Sequence, residues 1–190
     1  MRRTNDDTSA PQPNTKQALA VLDLPLERDA FLRTLLRHLS GTLQDVVGIE
    51  EASGFISVVG QEMGEEIGDI YRRAFSLEQL RPDQLADVLV DLKRRINGDF
   101  YVIEQTEDKI VFGNRICPFG DRVTDRPALC MMTSNVFGAI SAREFGYAKV
   151  ELQKTIARRH PECRVVVYLR PSVDADAADG RVYHRGAGQH

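Results

Sequence analysis

The sequence predicts an α+β fold, with N-terminal amphipathic helices packed on a small, mainly antiparallel sheet. Two observations carry this. Apolar residues recur at steps of three and four through the first half of the chain, and the second half changes to short β-rich runs separated by polar turns. Helices first and antiparallel strands afterwards is the order expected of an α+β domain.

The elements follow in order. Leu32, Leu35, Leu36, Leu39, Leu43 and Val46 mark one face of a first helix, which Gly48 ends. A second helix is expected from about Ser53 to Phe75, with Phe55, Val58, Val59, Met63, Ile67, Ile70 and Tyr71 on its buried side. Within it Gly60, Gly64 and Gly68 fall at four-residue steps. Each glycine costs about 1 kcal/mol against alanine, so three on one face predict a second backbone packed unusually close. Pro82 suits the first turn of a third helix, carrying Leu85, Val88, Leu89, Leu92 and Ile96 as far as Asn97-Gly98. Strands are expected at 100–103 and 109–112, paired as a hairpin, then a loop over 114–127 and a short helix from Ser134 to Phe145. Two further strands fall at 147–157 and 163–169, joined by a polar turn around Arg159-His160-Pro161-Glu162. Residues 1–16 read as a flexible arm, 17–170 as one domain, and 171–190, rich in Asp, Ala, Gly and Arg, as a flexible tail.

Composition narrows the function. The chain has 190 residues, with 28 acidic and 25 basic side chains and a formal net charge of −3. That balance argues against direct nucleic-acid contact. No apolar run is long enough to span a membrane, and the basic start lacks the apolar stretch of a secretory signal. Three cysteines without an export signal point to a reducing, cytoplasmic setting and to free thiols or metal ligands.

The common catalytic and cofactor motifs are missing: no phosphate-binding P-loop, dinucleotide fingerprint, H-E-x-x-H or nucleophile elbow. Neither a helix-turn-helix nor a kinase or ATPase motif is present. The cysteines are therefore the informative residues. Cys117 opens the Cys117-Pro118-Phe119-Gly120 turn after a strand, Cys130 precedes a helix and Cys163 starts the last strand. Such positions can converge at one edge of a small sheet, and three thiolates suit Zn²⁺ or an iron–sulfur cluster. His160, Glu162, Asp121 or Glu151 could supply a fourth ligand, and His160 is carried with the three cysteines as the candidate metal set. Two buried, inert cysteines and one exposed one are the plainer alternative. The Cys117-Pro118 pair is too common by itself to carry a haem assignment.

The span from Cys117 to Leu169 resembles a known family, in two groups of stretches. Cys117-Pro118-Phe119-Gly120 and Ala128-Leu129-Cys130-Met131-Met132-Thr133-Ser134-Asn135-Val136-Phe137-Gly138 are the first. Phe145-Gly146-Tyr147-Ala148 and Pro161-Glu162-Cys163-Arg164-Val165-Val166-Val167-Tyr168-Leu169 are the second, with Gly60-Gln61-Glu62-Met63-Gly64 matching a small-residue helix. Together they resemble the methanogen output domain family, which is similar to the 4-vinyl-reductase domain, the effector-sensing module of phenol-responsive bacterial activators. The resemblance implies a sensory domain that dimerises through its N-terminal helices, with a small-molecule or redox pocket beside a cysteine-containing metal site. The 4-vinyl-reductase pattern has a Glu and a Cys eight and eleven residues before its last Cys, where this chain has Thr155 and Leu152. Cys117 is the available replacement for the missing thiolate.

The expected function is a sensory or regulatory domain that binds a small ligand, zinc or an iron–sulfur centre and signals to a transcriptional or signalling partner. Phe55, Val59, Met63, Met132, Asn135, Phe137 and Tyr147 are the candidate ligand pocket, and a homodimer through the N-terminal helices is the expected assembly. The alternative is a small cysteine-dependent hydrolase or reductase with Cys117 as nucleophile and His160 as its base. A plain interaction module using the same leucine stripe is a third reading.

Overall fold

The computed structural model describes residues 27–76 and 79–185; the expected N-terminal arm lies outside them. Helices α1 (Arg28–Val47), α2 (Ile49–Phe75) and α3 (Pro82–Arg95) come first. Strands β1 (Phe100–Gln105) and β2 (Lys109–Asn114) follow, then α4 (Cys130–Phe145), β3 (Tyr147–Lys154) and β4 (Cys163–Tyr168). A short α5 (Val173–Ala177) and β5 (Gly180–His184) close the described chain. The five strands form one antiparallel sheet in the order β1-β2-β4-β3-β5. Among the described residues no helix is long and apolar enough to cross a membrane.

The core lies between the sheet and helices α3 and α4. Phe137 is fully buried at its centre, with its ring edge-on to Phe100 and Phe112 at centroid distances of 5.5 and 5.4 Å. Leu85, Leu89 and Leu92 of α3, Ile110 of β2 and Val165 and Val167 of β4 pack around it. On the opposite face of the sheet a smaller cluster of Val111, Val166 and Tyr168 is covered by Ala175 of α5. A third cluster holds the loops before α4 and after β3, where Val123, Ala128, Leu129 and Ala157 meet Ile56 of α2.

Of the large apolar residues expected on the buried side of α2, Ile67 and Tyr71 pack against the core, but the helix otherwise packs through a different face. Its buried residues are Ala52, Ile56, Ser57, Gly60, Gly64 and Gly68, while Phe55, Val58, Val59, Met63 and Ile70 are exposed. The reason is the close approach anticipated from the glycine spacing. A Cβ on Gly60 would lie 2.8 Å from the Cβ of Asn135, and one on Gly64 2.8 Å from that of Ala139 and 3.1 Å from the Cα of Val136. With α4 on the glycine face, the bulky side chains turn outward. Helix α1 is likewise bare, burying only Ser40 and Gly41 and leaving Leu32, Leu35, Leu36, Leu39 and Val46 exposed.

The expected C-terminal tail is instead structured up to residue 185. Strand β5 pairs with β3 from Tyr147↔His184 to Glu151↔Gly180. Tyr183 anchors it: the ring lies against Gly138 of α4, where any Cβ would clash, and its hydroxyl shares a 2.9 Å hydrogen bond with Ser134. The Asp-rich composition hid this strand because its only buried side chain is that tyrosine.

Gly64→Val should destabilise the protein by about 1–3 kcal/mol through overpacking against α4. In the same helix, Gly54 has open space around it, so Gly54→Ala should stabilise by about 0.5–1 kcal/mol. Urea unfolding of the two variants checks both signs.

Candidate functional site

The three cysteines arrive at one end of the sheet by three routes. β2 ends at Asn114, whose partner in the ladder is Cys163, the first residue of β4. The chain leaving β2 turns at once, with the Gly120 amide donating to the Cys117 carbonyl at 2.8 Å, which closes the turn that opens on Cys117. A short 3-10 helix, Pro127–Leu129, then runs into α4 and makes Cys130 its first residue. Two loops are pinned together beside this end: the Asp125 amide donates to the Ala157 carbonyl, and Arg159 grips the Asp125 carboxylate with two bonds of 2.6 and 3.0 Å.

Cys117, Cys130 and Cys163 line a single small cavity of about 30 Å³. Its apolar wall includes Phe100, Phe119, Leu129, Leu152 and Val165, and its polar groups are Asn114, Thr133 and Thr155. Cys163 Sγ accepts from Asn114 Nδ2 at 3.6 Å and from the Ile156 amide at 3.4 Å. Asn114 is buried, and its Oδ1 has no hydrogen-bond partner. Burial pushes the Cys130 thiol up to about 12 and raises that of Cys117 as well.

Behind the wall stands Lys93, in the last turn of α3 and only 4% exposed. Its Nζ donates to Thr133 Oγ1 at 2.9 Å and lies 5.4 and 5.1 Å from the ring centroids of Phe100 and Phe137. Burial lowers its pKa to about 8, and the three thiols act on it in the opposite sense. The signal for Lys93 was present in the sequence: Leu85, Leu89 and Lys93 follow at four-residue steps, one line along the buried face of α3. A charged side chain breaks the apolar pattern by which such a face is recognised. Asn114 and Thr133 carried no signal of their own, whereas Thr155 is marked by standing where the 4-vinyl-reductase pattern has its Glu.

The other expected ligands stay apart from the thiols. His160 turns its Nδ1 to the Thr155 carbonyl at 3.2 Å and is absent from the cavity wall. Glu162 accepts from Tyr101 at 2.9 Å, Glu151 accepts from Gln153 and Tyr168, and Asp121 is exposed. Among the described residues no group of three or more His, Cys, Asp and Glu stands in an arrangement that could hold a metal ion. Leu152 and Thr155, which replace the Cys and Glu of the 4-vinyl-reductase pattern, do face the thiol cavity.

The expected apolar ligand pocket is not assembled. Phe55, Val59 and Met63 lie on the outward face of α2, and Phe137 is sealed in the core. Met132 packs between two core clusters, and Tyr147 sits edge-on to His184 at the sheet edge. Asn135, buried, donates to Ser57 Oγ at 3.0 Å and to the Met131 carbonyl at 2.7 Å. It lines a separate, polar cavity of about 220 Å³ bounded also by Arg143, Arg181 and Arg185. The glycine-mediated contact between α2 and α4 closed the space that those apolar residues were expected to enclose. For the enzyme alternative, a nucleophile needs a depressed thiol pKa, whereas burial raises that of Cys117.

Lys93 gives a pH dependence with a definite sign. Its pKa is about 8 in the fold against 10.5 when unperturbed, so the unfolded chain binds more protons between those values. Its burial cost is therefore fully present below pH 8, and stability rises as pH climbs through that window. Relative to Lys93→Met, the wild-type protein should gain on the order of 2–3 kcal/mol between about pH 7 and about pH 10. Urea unfolding of both proteins at the two pH values measures it.

Solved structures share this fold at low sequence identity. The phenol-responsive sensory domain of the transcription activator PoxR, crystallised with phenol, aligns with a TM-score of 0.58 and 17% identity over 81% of each chain. A trafficking protein particle complex subunit 3 from Naegleria fowleri, covalently bound to palmitic acid, gives 0.54 and 13% over 75% of this chain and 95% of that one. An Fe(II) unliganded mutant H-NOX protein from K. algicida gives 0.52 and 14% over 84% of this chain and 87% of that one. No curated protein matches in sequence. The profile of methanogen output domain 1 matches residues 35–168, from the middle of α1 to the end of β4 and including all three cysteines, and the chain belongs to that family.

Proposed function

We propose that this chain is a sensory domain whose input is a single soft divalent metal ion taken up by Cys117, Cys130 and Cys163. The observation that carries the reading is that three thiols from three separate segments share one cavity. Thiolates are the donors that zinc and its soft congeners prefer. A volume of about 30 Å³ is the space of roughly one water molecule, which suits one ion and is too small for a cubane cluster or an aromatic effector. The orphaned Asn114 Oδ1 supports a polar occupant. Because the thiols do not stand in an ion-holding arrangement in the described state, uptake would require the loop-borne Cys117 to close on Cys130 and Cys163. The loop that follows Cys117 is packed under α1 through the bonds of Arg37 to the Arg122 and Thr124 carbonyls, which would carry the change to that helix.

The sensory role itself is supported by the family and by the shared fold with a phenol-responsive sensory domain and an H-NOX protein. The exposed leucines of α1, with Phe55 and Val59 of α2, form the surface through which a second copy or a downstream regulatory protein would receive the signal.

Titration of anaerobically reduced protein with Co²⁺ should give thiolate-to-metal charge transfer in the near ultraviolet, saturating at about one ion per chain. Zinc should displace the cobalt and bleach the band. Each single Cys→Ser variant should lose most of the signal. Absence of the band in the wild-type protein, an undiminished band in the triple variant, or acid-labile sulfide in the purified protein would each overturn the reading.

A further inference from the structure

Strand β5 carries an arginine two residues to either side of Tyr183, at Arg181 and Arg185. Alternate residues of a strand share a face, so both arginines leave β5 on the side where Tyr183 packs against α4. With Arg143 of α4 they border the polar cavity of about 220 Å³ between α2, α4 and β5. This cavity shares no lining residue with the thiol cavity. Its floor is buried and already hydrogen-bonded. Ser57 and Asn135 are 4% and 2% exposed. The Ser57 hydroxyl donates to the Ser53 carbonyl at 2.6 Å and accepts from Asn135 Nδ2 at 3.0 Å and from Arg181 Nη1 at 2.5 Å.

The three guanidiniums are held differently. Arg143 is paired with Asp69 at 2.9 Å. Arg185 is braced on the end of α4, donating from Nε and Nη2 to the Arg143 and Glu144 carbonyls at 2.9 and 3.2 Å. Arg181 is braced by Ser57. Among the described residues no carboxylate forms a salt bridge with Arg181 or Arg185. A guanidinium has five N–H donors, so each keeps donors beyond the bonds that orient it. Against the three arginines the wall sets one acidic side chain, Glu65, and the lining is positive.

We infer that this cavity binds a small polar organic anion, whose carboxylate or phosphate group is held by Arg181 and Arg185. Oriented guanidinium forks are the groups that recognise those anions. A cavity of about 150 Å³ takes a benzene ring, so 220 Å³ admits a molecule of a few carbons and is too small for a nucleotide. The floor of Ser57 and Asn135 selects against an apolar effector, which would leave those polar groups without water. A bound anion ties β5 to α2 and α4. The inference does not rest on the metal reading, and either can fail without the other.

Calorimetric titration of the whole chain with inorganic phosphate and with succinate, at low ionic strength, tests it. One or both should saturate at one site per chain and raise the midpoint of thermal unfolding. Binding of one alone identifies the recognised group as phosphate or carboxylate. Arg181→Gln and Arg185→Gln should each weaken the binding at least ~10-fold, the change that follows loss of a charge-assisted hydrogen bond. Gly54 lines the cavity and has open space where a Cβ would stand. Gly54→Leu therefore fills the cavity without altering a charge or a bond of the floor, and should abolish binding in a protein that still folds. It keeps the test decisive if an arginine variant unfolds. Arg170→Gln removes a charge outside the cavity, where Arg170 pairs with Asp108, and should bind as the wild type does. Absence of saturable binding of both anions, undiminished binding in Gly54→Leu or in the arginine variants, or an equal loss in Arg170→Gln would each overturn the inference.

Discussion

The contact that the rest of the molecule depends on is the near touching of α2 and α4 along Gly60 and Gly64. It places α4 between two partners, the sheet with Phe137 in the core on one side and the glycine face of α2 on the other. Leaving side chains out of that seam costs helix propensity at each glycine and gains dispersion contacts along the paired backbones. It also decides which residues face outward. Once the glycines are inside, Phe55, Val58, Val59 and Met63 have nowhere to go but the surface. A surface this apolar on two successive helices is unusual for a chain that acts alone.

The same seam sets the position of the thiol cavity. α4 begins at Cys130, so fixing the helix fixes one thiol, while the β2–β4 ladder fixes Cys163 opposite Asn114. Only Cys117 sits on a loop, held by its own turn and by a small core of Val123, Ala128 and Leu129. Two of the thiols thus stand on regular elements and one on a loop. The buried ammonium of Lys93 adds a fixed electrostatic bias to that end of the domain, and α3 positions it through the leucine line that precedes it.

Much of the architecture was legible because it follows from local pattern. The α+β order, the hairpin of β1 and β2 and the start of α3 at Pro82 each rest on neighbouring residues and short-range geometry. The close helix contact was legible too, since glycines repeated on one face of a helix have few other physical uses. The C-terminal strand was not. β5 has one inward side chain and is held by backbone pairing to β3 and by Tyr183 against Gly138. Neither leaves a hydrophobic pattern. The site was half legible: three cysteines at or beside the ends of elements marked it, but the expected fourth ligand and apolar pocket depended on distances between elements.

The sequence by itself determined the fold class, the family and the three thiols that come to line one cavity, because periodicity, turn chemistry and residue type are properties of the chain. Tertiary structure alone decided that α2 buries its glycines and exposes Phe55, Val58, Val59, Met63 and Ile70, since steric fit against α4 outranks hydrophobicity where two backbones meet. It also decided that Lys93 leaves water to stand behind the cysteines. Burial and electrostatic reach arise only when the ends of α3 and α4, β2 and β4 are brought to one place, and no local pattern contains that distance.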